Sequence, residues 1–219
     1  MLRHARHGGF SLIEFMVTMA TSLFLLSGLV YIFMNFSRAS TDMLRMVRLQ
    51  QELRAIMNLM TNDIRRSGYW SQAGEAWVNN KKNAFTTISI VEGNCILYTY
   101  DERRDDADGI PDSEDHGGFK LDGDKIRIRT SATPCRNSPC RNCNSGVWWT
   151  LNDDNVVKIT QLHFRQVSSK AATVRAGAQL QLRRIEIVLG GALLQAPDVT
   201  HVLRAAVYIP NAAILSTSQ

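Results

Sequence analysis

An α+β fold, with one long N-terminal helix followed by an antiparallel β-rich domain, is predicted by three features of the 219-residue sequence. Phe15 to Met34 form a run of 20 residues without a charge. Beyond Arg38, the residues Met43, Met46, Leu49, Leu53, Ile56, Met60 and Ile64 recur at intervals of three and four, the spacing of one helical face. From residue 86 onward, six short segments rich in β-branched residues or alternating in polarity succeed one another with turn residues between them.

The uncharged run is long enough to cross a bilayer, since 20 helical residues at 1.5 Å each span about 30 Å, the hydrocarbon thickness. Arg3 and Arg6 precede it and no acid does, so the positive-inside rule places the start in the cytoplasm and the rest beyond the membrane. A cleavable secretory signal has a shorter apolar region and a small-x-small site, for which SRAS at 37–40 is the one weak candidate. Arg45, Arg48, Glu52, Asn58, Asn62 and Arg65 fall between the stripe positions. The helix is therefore expected to continue from Phe10 to Ser67, with Ser67 and Gly68 as the stop and Arg65 and Arg66 at the negative end of its dipole. The methionine-rich stripe reads as packing against a sheet.

The strand segments are TTISIV (86–91), CILYTY (95–100), KIRIRT (125–130), VVKITQLHF (156–164), LQLRRIEIVL (180–189) and HVLRAAVYI (201–209). There is no second long helix, repeat or low-complexity tract, so one head domain is expected.

The formal charge is +5, but its distribution argues against a nucleic-acid surface. Residues 1–70 hold 8 of the 25 Lys/Arg and 4 of the 20 Asp/Glu, which leaves 17 and 16, or +1, for the remainder. No HExxH, G-x-S-x-G or phosphate loop occurs, and His116, His163 and His201 stand apart in the sequence. An enzyme is not expected.

All four cysteines, Cys95, Cys135, Cys140 and Cys143, follow the apolar run, which favours disulfides in an oxidising compartment. Cys140 and Cys143 form a CxxC, yet no second pair or spaced histidines complete a zinc site and no βαβ unit marks a redox motif. Three pairings are open to four cysteines. Cys95 opens a core strand and needs a distant partner, Cys143 precedes NSGVWW as it re-enters the sheet, and Cys135 and Cys140 flank a turn-prone segment containing Pro139. The expected pairs are Cys95 with Cys143 and Cys135 with Cys140.

Residues 8–15, GGFSLIEF, resemble the class III signal of type IV prepilins, in which a basic leader ends in Gly, the mature chain begins with Phe and its fifth residue is Glu. The resemblance implies cleavage by prepilin peptidase after Gly9, N-methylation of Phe10, and a role for Glu14 in recruiting the subunit to a filament. It also implies the type IV pilin fold. The domains are then a leader at 1–9, a transmembrane and polymerisation helix at 10–37, its amphipathic continuation at 38–68, and a periplasmic head at 69–219. CILYTYD (95–101), GGFKL (117–121), DGDKIRIR (122–129), the Cys-then-Trp stretch at 143–149, VVKITQLHF, RRIEIVLGG and HVLRAAVYIPN together resemble the PilW family of minor pilins. The J-type pseudopilins of type II secretion share the plan.

The resemblance implies an inner-membrane protein, N-terminus in the cytoplasm, that passes into the pilus tip. Its partners would be other minor pilins, the major pilin, a tip adhesin, prepilin peptidase and the inner-membrane assembly platform, in support of twitching motility and adhesion. The alternatives are a type II secretion pseudopilin and a membrane-anchored calcium-dependent binding protein that never polymerises.

Residues 101–115 contain 8 acids and 2 arginines. Asp106, Asp108, Gly109, Asp112 and Asp115 fit a D-x-D-G-x-x-D-x-x-D loop whose oxygens suit Ca²⁺, although Arg104 stands where the first Asp belongs and the last residue is Asp rather than Glu. A solvated acidic loop is the alternative. Trp148 and Trp149 read as core and edge packing in preference to a ligand platform.

Overall fold

The computed structural model describes residues 11–74, 83–101, 111–131, 142–175 and 178–216, with 169–175, 178–181 and 211–216 described by backbone alone. The chain divides into two compact units, Met1–Arg45 and Met46–Gln219. A single α-helix, α1, runs Leu12–Arg65 through both.

In the first unit every described residue from Ser11 to Arg45 is exposed. Helix is the structure an isolated apolar segment is obliged to adopt, because it satisfies its own main-chain groups. Its small polar side chains follow the same rule. Thr18 donates to the Phe15 carbonyl at 2.8 Å, Thr21 to Val17 at 2.9 Å, Ser22 to Thr18 at 2.5 Å, Ser27 to Phe24 at 2.7 Å and Asn35 to Tyr31 at 3.0 Å. One such helix, at mean hydropathy 1.9 over its most apolar window, is long enough to cross a membrane.

The second unit is an antiparallel α+β body. Leu49, Leu53, Ile56, Met57, Met60 and Ile64 of α1 are buried in one apolar core. Three positions differ from the predicted stripe. Met43 is exposed and Met46 only half-buried, and Met57 is buried beside Ile56, which widens the stripe to the two adjacent positions that a helix facing two sheets needs. The helix ends as expected: Ser67 N and Arg66 N bond to Ile64 O and Asp63 O in a tightened last turn, and Gly68 takes φ +79°, the left-handed conformation suited to glycine.

The strands form two sheets rather than the single sheet that the sequence suggested. The first is a meander of β1 (Ile88–Val91), β2 (Cys95–Thr99), β3 (His116–Asp122), β4 (Lys125–Ser131) and β5 (Val147–Thr150), paired in sequence order. The second has the order β6 (Val157–Arg175), β7 (Ala178–Leu193), β8 (Ala196–Ser216). β3 is absent from the six expected strands because Gly117 and Gly118 dilute its β signal. Gly118 is needed there, since a Cβ would lie 2.9 Å from the Ile96 carbonyl oxygen. β5 is only four residues long.

The sheets meet along β6. Ile159 N donates to Asp124 O at 2.9 Å and Phe164 N to Gly93 O at 2.7 Å, so the β3–β4 and β1–β2 turns seal that edge. Ile96, Tyr98, Phe119 and Ile126 from the first sheet share the core with Ile159, Phe164, Ile185, Ile187 and Leu189 from the second.

A disulfide joins Cys95 to Cys143, the first of the two expected pairs, 48 residues apart. It fastens the start of β2 to the segment that leads into β5. Cys135 and Cys140 lie outside the described residues.

A closed loop of this length contributes about 4 kcal/mol through the unfolded chain. The double variant Cys95→Ala, Cys143→Ala is therefore expected to lose about 4 kcal/mol in a denaturant titration of the full chain in detergent. Leu53→Ala, at a fully buried stripe position, is expected to lose about 2–5 kcal/mol in the same titration.

Candidate assembly site

Glu14 stands in the first turn of α1 and is exposed. The positive end of the helix dipole favours a carboxylate there. Among the described residues no side chain bonds to Glu14, whereas the hydroxyls and the amide further along the helix each find a carbonyl of their own helix. In an apolar medium a carboxylate at the head of the segment is costly unless it is paired. Gly9 and Phe10, the expected cleavage pair, lie outside the described residues.

Within the second unit, the end of α1 meets β2 through a network that sequence reasoning missed. Tyr98, fully buried, donates a short hydrogen bond to Asp63 Oδ2, and Tyr100 donates to Asp63 Oδ1 at 3.0 Å. Arg66 Nη1 lies 3.7 Å from the same Oδ1, and its guanidinium sits 4.2 Å from the centre of the Tyr100 ring. The phenols at 98 and 100 reach one carboxylate because residues two apart share a face in a strand, and Tyr100 stands one residue past the end of β2. That alternation, opposite an acid set between Met60 and Ile64, was the available signal. Burial, and then Asp63, push the Tyr98 phenol well above its usual pKa.

These residues border a cleft of about 430 Å³ lined on the helix by Leu59, Asn62, Asp63 and Arg66 and on the strands by residues that include Gly117, Ile128 and Arg129. Arg129 is 3% exposed; Nε and Nη2 donate to His116 O and Gly117 O, each at 3.2 Å. Burial pushes its pKa down to about 10. His116 is buried, and burial, then Arg129, lower its pKa. The network holds the helix end to the sheet: the two tyrosines and Arg66 engage the Asp63 carboxylate, while Arg129 is held by the His116 and Gly117 carbonyls.

The acidic loop is placed in part. Asp106 and Asp108 lie outside the described residues. Asp112 Oδ1 accepts from Glu114 N at 2.7 Å and from Asp115 N at 3.3 Å, while Asp115 Oδ2 accepts from Asp112 N at 2.9 Å. The two carboxylates thus close a turn on each other's main chain. Among the described residues no three acidic, histidine or cysteine side chains converge as metal ligands do. Trp148 packs as expected, its ring 4.7 Å from Lys120 Nζ and 5.7 Å from the Arg129 guanidinium, with Nε1 donating to Ser145 O. Trp149 is 63% exposed on the edge strand β5.

The family model described as prepilin peptidase-dependent protein B matches residues 42–209. No curated protein and no solved structure matches the chain. The matched span begins beyond the apolar segment, so the resemblance of residues 8–15 to a prepilin signal is a separate observation that points the same way.

The raised Tyr98 pKa fixes the sign of a pH effect. A phenol whose folded-state pKa exceeds its unfolded value of 10.0 contributes stability in full below that value and loses it as pH rises through the folded one. The unfolding midpoint is expected to decline from about pH 10 upward, and Tyr98→Phe to decline less steeply there while starting from a lower value near neutrality. Denaturant midpoints measured at a series of pH values check both; equal alkaline slopes for the two proteins contradict the assignment.

Proposed function

The chain belongs to the prepilin peptidase-dependent protein B family, and from that premise we propose that this pilin-like protein is a minor pilin of a type IV pilus. In this reading prepilin peptidase cuts after Gly9, Phe10 becomes the N-methylated first residue, and the protein waits in the inner membrane with its head in the periplasm. It then joins other minor pilins to prime assembly and takes its place at the tip, where it supports an adhesin and, through the pilus, twitching motility.

The observation that supports the reading most is Glu14 at the head of a helix exposed throughout its apolar part, with no internal partner among the described residues. A carboxylate costs about 2.5–3.5 kcal/mol at mid-bilayer on insertion scales, and a smaller cost applies at the edge of the apolar run where Glu14 stands. An ammonium group at Phe10 of a neighbouring subunit offsets that cost when helices stack, because two charges that are unfavourable singly in an apolar medium become tolerable as a hydrogen-bonded pair. The carboxylate thereby rewards incorporation of the helix beside another that begins in the same way. The single apolar N-terminal helix suits membrane anchoring.

Glu14→Ala is expected to leave membrane insertion and cleavage unchanged, since the leader and Gly9 are untouched, and to reduce co-purification with pilus subunits about tenfold, the equivalent of about 1.4 kcal/mol. N-terminal sequencing of the protein from its own cells should begin at Phe10. A chain still beginning at Met1, or equal recovery of pilus subunits by wild type and variant, contradicts the proposal. Recovery of type II secretion components in place of pilins assigns the same helix to a pseudopilus.

A further inference from the structure

β8 is the outermost strand of the second sheet. Its inner side pairs with β7 over ten consecutive positions, from Arg183 opposite Ile209 to Ala192 opposite Thr200. No other main-chain hydrogen bond from β8 is formed among the described residues, in contrast to β6, whose outer edge is taken up by the turns at Gly93 and Asp124. An edge strand with free N–H and C=O groups is a template for another strand, and soluble proteins usually blunt it with charges, prolines or bulges. Here Pro197 and Pro210 bracket the ladder, and between Val199 and Ile209 the sequence carries one formal charge, Arg204.

The outward face supplies the chemistry of the occupant. Val202, Arg204, Ala206 and Tyr208 lie on it, with Tyr208 66% and Val202 48% exposed, opposite Gly190, Val188, Glu186 and Arg184 of β7. Leu182, also exposed, extends the same face. The one acid is already engaged: Glu186 accepts from Arg165 Nη2 and from Arg184 Nη2, each at 2.5 Å. Arg204 has no ion pair among the described residues, so a surface of tyrosine, arginine and aliphatic side chains, a composition typical of interfaces, ends at the open edge with an uncompensated positive charge.

We propose that the β8 edge from Thr200 to Ile209 is a docking edge for an extended, acid-bearing strand of a different protein. Main-chain hydrogen bonds hold such a strand, and alternate side chains set its specificity. An acid on its outward face meets Arg204, and an apolar residue two positions on meets Val202 or Ala206. A second copy of this chain is a poor occupant. A two-fold antiparallel pairing that keeps the outward faces together and is centred on this ladder sets Arg204 directly opposite, or diagonal to, Arg204 of the copy, and like charges at these positions destabilise a sheet.

The test uses the full chain in detergent micelles and, as probe, a nine-residue peptide of alternating valine and threonine whose central valine is replaced by glutamate, so that one acid and its flanking valines share a face, with the same peptide carrying lysine at the centre as control. Hydrogen exchange of the amides in 200–209 is expected to slow about tenfold with the glutamate peptide and to be unchanged by the lysine peptide. Arg204→Glu, an exposed position that leaves the core untouched, should reverse the preference. Absence of added protection, equal protection by both peptides, or protection that grows with protein concentration before any peptide is added would overturn the proposal, the last by assigning the edge to a second copy.

Discussion

The fold of the head depends on one requirement of α1: from Leu49 onward its apolar side chains need a dry surface, and no element of the helix itself can provide it. A stripe two positions wide at Ile56 and Met57 presents more surface than one strand layer covers. Two sheets satisfy it, the first through Ile96, Tyr98 and Phe119, the second through Ile185, Ile187 and Leu189. Close approach is enforced at single points. A Cβ at Gly191 would stand 3.0 Å from Leu53 Cδ2, so glycine at that position lets the helix settle onto β7. At the other end the Asp63 carboxylate collects the Tyr98 phenol from β2 and the Tyr100 phenol from just beyond its end, which fixes the helix's rotation about its axis as well as its position. Packing alone tolerates small rotations; a carboxylate with two buried donors does not.

The same economy governs the sheets' edges. β6 would have been an open edge had the β1–β2 and β3–β4 turns not been bonded to it, and Gly93 makes that possible, because a side chain there would run into the His163 ring at 2.6 Å. The disulfide then fastens β2 to the segment ahead of β5 on the opposite flank of the first sheet. Covering and cross-linking are concentrated on the first sheet and on β6. β8 receives neither among the described residues, and its outward side chains include the exposed Val202 and Tyr208.

Much of this plan was legible because the strongest signals are periodic. The helix, its end at Gly68, most of the amphipathic stripe and all six expected strand segments follow from spacing and residue type, and the Cys95–Cys143 pair from a core-strand cysteine that needs a distant partner and a second one that precedes NSGVWW as it re-enters the sheet. Periodicity fails where a residue is chosen for what it must avoid. His116–Asp122 is a central strand in spite of two glycines, because Gly117 makes room for the Tyr98 ring and Gly118 for the Ile96 carbonyl and the Trp148 ring. The division into two sheets was likewise invisible, since no strand's own sequence states which neighbour it pairs with. In the assembly site Glu14 was legible because it breaks an apolar run. Asp63 was not, because an acid beside an amphipathic stripe looks like any solvated residue until the two tyrosines reach it.

Two of the four carboxylates of α1, Glu14 and Asp63, show how position decides the meaning of one functional group. Asp63 lies where the same chain supplies donors, and its negative charge is spent inside the unit on Tyr98, Tyr100 and the nearby Arg66. Glu14 lies where the chain supplies none among the described residues, although Thr18, Thr21, Ser22, Ser27 and Asn35 show that this segment readily satisfies polar groups that are short enough to reach back to a carbonyl. A carboxylate cannot use that route, because it is an acceptor only and the carbonyls it can reach are acceptors too. The donors a helix leaves free are the first few N–H groups, which lie in the turn that holds Glu14, and the dipole there eases the charge without neutralising it. The substitution that would solve the problem within the molecule, a serine or threonine in place of glutamate, is chemically trivial and occurs elsewhere along the same helix. An ionisable side chain at the head of the most apolar part of the sequence, with no donor among the described residues, is the feature on which the proposed association of this helix with others rests.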